Sequence, residues 1–160
     1  MRPRLDMLYL GGFMGTLVIT VITYMVSPLL IGPPVDFAAA LAGLIGGGRT
    51  VDLIAHFAIG TFVLPTLFAL FFYPWLKGSA LVRALSWGVI VWLLTQITIV
   101  PLGGGGLFSA HAGGVLAASG SLAEHLLYGF SLGIFAPGPE QDTRHVAEPR
   151  RHGPYMRRAS

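Results

Sequence analysis

Apolar residues come in long unbroken blocks along this chain, and polar positions gather in the short stretches between them. Four blocks reach the roughly 20 mainly apolar residues that a bilayer crossing needs: Leu8–Leu30, Leu53–Leu76, Val82–Leu102 and Val115–Ala136. No Asp, Glu, Lys or Arg lies between Leu53 and Leu76, or between Ala84 and Ala123. The pattern predicts an all-α membrane protein with four transmembrane helices. The first block is too long for a signal-peptide core and lacks a small-residue cleavage site near its end, so it reads as a retained helix.

Composition agrees. Of 160 residues 54% are apolar and only 11% charged, with a mean hydropathy of +0.72. Soluble domains carry about 25% charged residues, so a soluble fold could not cover itself. The expected surroundings are lipid. Absence of cysteine excludes disulfides, thiolate metal sites and cysteine nucleophiles.

Basic residues set the orientation. Arg2 and Arg4 precede the first block, Lys77 and Arg83 separate the second from the third, and five arginines follow the fourth. The other side has Arg49 alone among its loops. Both termini are therefore expected in the cytoplasm. Residues 1–136 form the predicted membrane domain. Residues 137–160 form a basic tail, rich in Pro, Arg and Glu and expected to be disordered; nothing in its charge points to nucleic acid. Of the two outer loops, Ile31–Asp52 contains F-A-A-A-L-A-G-L-I, a candidate short interfacial helix. Gly103–Gly114 is glycine-rich, but no helix-opening Lys-Ser or Lys-Thr follows its G-G-G-G run, which argues against a phosphate cradle.

The blocks also repeat. Pro28 follows Gly15 by thirteen residues, and Pro101 follows Gly88 by thirteen. His56 and His125 each precede a glycine, Gly60 and Gly129, by four. This spacing predicts two similar helical hairpins, about 8–76 and 82–136, related by a pseudo-twofold axis along the membrane normal. His56 and His125 then share a depth in the outer half. Thr23 and Gln96 fall at the same level, Asp52 lies one turn before His56 on its face, and Glu124 adjoins His125. A polar layer of Thr23, Asp52, His56, Gln96, Glu124 and His125 is expected there.

Three roles compete for that layer. As packing, Gly60, Gly129 and the pair Gly11 and Gly15 let helices approach, and the polar groups hydrogen-bond across them; the space between the histidines is then too small for haem. As a cofactor site, His56 and His125 ligate a b-type haem axially, with Gly60 and Gly129 admitting the porphyrin; C-x-x-C-H is absent, so the haem is non-covalent. Zinc or copper would need a third ligand, for which His111 is the candidate. As a proton or ion route, the layer lacks a continuing relay in the inner half. Ser119, Ser121 and His125 share one helix and cannot converge as a triad, so no catalytic residue is assigned. Tyr73, Trp75 and Trp87 read as interfacial anchors.

The passages H-F-A-I-G, Q-I-T-I-V-P-L-G-G-G-G and E-H-L-L-Y-G-F-S-L-G make the chain, from about Gly11 to Phe135, resemble bacterial families of small four-span membrane proteins of unknown function. The resemblance implies a fold type and weight on His56, Gln96, Pro101, His125 and Gly129. It implies no activity. The expectation is a small inner-membrane protein, a non-catalytic accessory subunit of a larger assembly or of its own oligomer, with a haem or metal electron carrier as the alternative.

Overall fold

The computed structural model describes residues 3–30 and 48–136. All regular elements among them are helical and form four rods. Rod α1 is Leu5–Val21, continued by a π-helical segment Ile22–Val26 and a last turn Ser27–Leu30. Rod α2 is Arg49–Ala58, a π segment Ile59–Val63, the turn Leu64–Leu67 and a second π segment Phe68–Phe72. Rod α3 is Ala80–Ile97 and, after a break at Thr98, Ile99–Leu102; rod α4 is Gly114–Phe135. The F-A-A-A-L-A-G-L-I stretch and the basic tail lie outside the described residues.

Prolines explain most of the irregularity. Each lacks an N–H and crowds the carbonyl four residues back. The helix widens to a π turn just before Pro28 and again before Pro65. Before Pro101 it breaks instead, with Thr98 at φ −121°, ψ −69°.

Three rods contain stretches long and apolar enough to cross a membrane: Leu5–Val26, Thr50–Phe72 and Ala80–Leu102, at mean hydropathies of 1.8, 2.0 and 1.8. Large apolar side chains stand outward on them, Phe62 at 55%, Phe71 at 59% and Ile54 at 65% exposed, as suits a protein with lipid for solvent. Rod α4 is as long, 22 residues, but Glu124, His125 and its serines and glycines dilute its hydropathy. It lies between α1 and α3 and packs along both, which buries Tyr128, Gly129 and Gly133.

Small residues permit that packing. A Cβ on Gly15 would stand 2.9 Å from the Tyr128 ring, and one on Gly129 would stand 2.5 Å from the Ala84 carbonyl oxygen. Gly60 presses on Thr16 of α1. Within each predicted hairpin, then, the glycine after the histidine serves the contact with the preceding helix. Between hairpins the packing differs: α4 lies along α1, whereas α2 reaches α3 mainly through Phe68–Phe72. There Trp87 stacks on Phe68 with centroids 6.2 Å apart and meets Phe72 at 4.4 Å.

These rings, with Leu8, Tyr73, Ala84, Tyr128 and Leu132, form the core at the end of the bundle that holds the α2–α3 turn. Arg83 fastens that turn, donating to the Tyr73 carbonyl at 3.0 Å and lying over the Tyr73 ring at 4.7 Å. The interfacial-anchor reading therefore needs correcting. Tyr73 and Trp87 are buried, 4% and 2% exposed, and Trp75 alone of the three is outside, at 84%. Hydropathy gives a residue's depth along a helix but not its direction around it.

A polar-rimmed cavity as the candidate ligand site

Beyond the aromatic core the four rods line an open cavity of about 810 Å³. This falls within the roughly 300–1,000 Å³ of small-molecule and cofactor sites. The packing role expects too little room between the histidines for haem; the cavity that both line is about 810 Å³ in all. Leu53 on α2 and Leu94 and Thr98 on α3 line the cavity and are exposed, which places its mouth between these two rods.

The cavity collects most of the predicted layer. Thr23, His56, Gln96, Glu124 and His125 all line it, as does Gly60. Asp52 and Gly129 do not. Asp52 is 2% exposed, and its Oδ1 has no hydrogen-bond partner among the described residues. Gly129 is spent on the contact with α3.

Each rim group has a definite setting. Thr23 Oγ1 donates to Glu124 Oε1 at 2.9 Å, tying α1 to α4. His125 Nδ1 lies 2.8 Å from the Ser121 carbonyl oxygen. A carbonyl only accepts, so Nδ1 carries the proton, and in the neutral ring Nε2 keeps its lone pair. His56 sits edge-on to Phe57 at 6.0 Å. Gln96, 1% exposed, accepts at Oε1 from Ser109 Oγ at 3.1 Å, while its Nε2 has no partner among the described residues. Turning the amide over only exchanges which end is left.

The loop from Gly103 to Gly113 closes the end away from the α2–α3 turn, with Ser109, Ala112 and Gly113 among the lining residues. Phe108 and Ser109 both have positive φ, 50° and 59°. Such strain persists only when surrounding contacts hold it, and here Phe108 packs on Trp92 while Ser109 holds Gln96. His111 lies against Gly106 within this loop and is not brought to His56 and His125. Among the described residues no three His, Asp or Glu side chains converge as metal ligands.

Two cavity residues escaped the functional reading of the sequence. Trp87 lines the floor, and its Nε1 has no hydrogen-bond partner among the described residues. Tyr128 donates its hydroxyl to the Gly60 carbonyl at 2.6 Å. Pro65 was the signal for the second. A proline inside an apolar helix leaves a carbonyl in the preceding turn without its N–H, and a nearby hydroxyl is its natural donor.

No curated protein and no solved structure matches the chain. The pattern of a family of unknown function, DUF6789, matches residues 7–145, and the chain belongs to that family.

Proposed function

We propose that this protein is a four-span protein of the bacterial inner membrane that holds a small molecule, non-covalently, in the cavity between its helices. It acts as a non-catalytic accessory subunit rather than as an enzyme. The observation that carries this is the cavity itself: about 810 Å³, apolar in its walls, with His56, Gln96, Glu124 and His125 on its rim. A bundle whose polar layer served only packing has no reason to keep such a space. Rod α4 is the fourth span in this reading. Its 22 residues reach about 33 Å at 1.5 Å each, enough for a hydrocarbon core of about 30 Å. Arg2, Arg4, Lys77, Arg83 and the arginines of the tail put both termini in the cytoplasm, and the shared placing of Gly60 and Gly129 favours a duplicated hairpin.

A second reading makes the ligand a b-type haem between His56 and His125. The hydrogen bond from His125 Nδ1 to Ser121 favours it, since ligating histidines almost always donate their other ring nitrogen. Purification in mild detergent with a visible spectrum and mass analysis of the extract tests both. A haem spectrum lost on replacing either histidine supports the second reading, a colourless stoichiometric ligand supports the first, and an empty protein removes both.

A further inference from the structure

The charges and orphaned polar atoms around the cavity say which kind of molecule it suits. Among the described residues that line it there is no lysine or arginine, and the one acidic group is Glu124. A haem brings two propionates and a phospholipid brings a phosphate; neither anion finds a cationic partner here. A neutral ligand avoids that penalty. The walls supply apolar contact from Ile19, Leu64, Leu67 and Val91.

The amide of Gln96 defines the polar end. It is buried, its oxygen is held by Ser109 in a strained loop, and its nitrogen lacks an acceptor. Such a group costs about 1–3 kcal/mol if left unsatisfied, and a native fold keeps one where something else completes it. With the amide oriented to accept from Ser109, the missing partner is an acceptor oxygen. On the floor Trp87 Nε1 is a second donor without a partner. Gln96 and Trp87 are nine residues apart on α3, about 13 Å along its axis, so one ligand oxygen serves one of them.

We infer that the cavity binds an uncharged, lipid-soluble molecule whose polar end is a carbonyl oxygen, the chemistry of a quinone, hydrogen-bonded by Gln96 and admitted from the bilayer between α2 and α3. The mouth beside Leu53, Leu94 and Thr98 lets an apolar tail remain in lipid while the ring sits inside. His125 Nε2, with its lone pair retained, is an acceptor on the same rim for the hydroxyl of the reduced form.

This rests on the ligand-holding reading above, and the two fail differently. The probe is decylubiquinone, titrated by isothermal calorimetry into full-length protein in detergent after exhaustive washing. Saturable binding is expected, weakened about 3- to 10-fold by Gln96→Leu, the loss of one hydrogen bond of about 0.7–1.4 kcal/mol. Val91→Trp, which fills the wall, should abolish it. Should Gln96→Leu fail to fold, Ser109→Ala keeps the amide but frees its orientation and should weaken binding in the same direction. An absence of saturable binding overturns the quinone-like ligand. If the washed-out extract then holds another compound, the ligand-holding reading stands without it. If the extract is also empty and Val91→Trp only stabilises the protein, both fall. Equal affinity in wild type and Gln96→Leu overturns the assigned role of the amide.

Discussion

Replacing Tyr128 by phenylalanine keeps the ring that packs beside Gly15 and removes only the hydroxyl that donates to the Gly60 carbonyl at 2.6 Å. In an ordinary helix the Leu64 N–H would reach that carbonyl. In this one it reaches Ile59 instead. The next residue, Pro65, has no N–H to offer. The carbonyl therefore has no donor from its own helix, and Tyr128 supplies one from α4. Hydrogen bonds between membrane helices average about 0.6 kcal/mol and reach about 1.7, because a freed group usually finds another partner. Gly60 does not, so Tyr128→Phe should lie at the upper end, about 1.5 kcal/mol. Reversible unfolding in mixed micelles, with SDS as denaturant, reads this directly. A double-mutant cycle with Pro65→Ala makes the test specific. The new N–H at position 65 stands opposite the Gly60 carbonyl in the π register, so Tyr128→Phe should cost about 1 kcal/mol less in that background, within the range of coupled pairs. Equal losses in both backgrounds would refute the idea that the proline orphans the carbonyl.

Substitutions at three other positions and one fusion probe the remaining framework. Gly88→Ala would drive a Cβ into the backbone carbonyl of His125, and thermal melts should show the loss of about 1–3 kcal/mol usual for overpacking; an unchanged melt contradicts the close approach of α3 and α4. Thr23→Val removes the donor to Glu124 and should lower stability by about 0.6–1.7 kcal/mol, while Thr23→Ser restores it; a Thr23→Ser variant as weak as Thr23→Val contradicts the hydrogen bond. Trp92→Phe keeps a ring against Phe108 but loses the 3.0 Å bond from Nε1 to the Ala118 carbonyl, an expected loss of about 0.5–1.5 kcal/mol in the same micelle assay. A reporter fused after Ser160 should behave as cytoplasmic; an exported one inverts the bundle and the polar layer with it.

Much of this was legible before any coordinates, and the gaps have physical reasons. Four apolar blocks gave four rods, although α2 starts at Arg49 rather than Leu53. Asp52 is buried in its first turn, and a hydropathy pattern drops a buried carboxylate from the helix it belongs to. Helical spacing put Thr23, His56, Gln96, Glu124 and His125 at one level, and these five line one cavity. Asp52 was placed with them and is not among the lining residues, since sharing a face with His56 does not fix which neighbour that face meets. The cavity itself was hidden. It depends on how the four rods are set against one another, a matter of interhelical geometry that no single helix records. Trp87 was misplaced for the same reason: as an aromatic near a span end it suits an interface, but its face of α3 turns onto Phe68 and Phe72.

The central claim is that the space between the helices is a ligand site. Native mass spectrometry of the full-length protein, released from detergent without delipidating washes, measures it most directly. The account predicts a stoichiometric adduct on the wild type, shed on activation and missing from Val91→Trp, whose side chain would occupy the same volume. A wild type that flies at its bare mass, or an adduct that Val91→Trp retains in full, would contradict it.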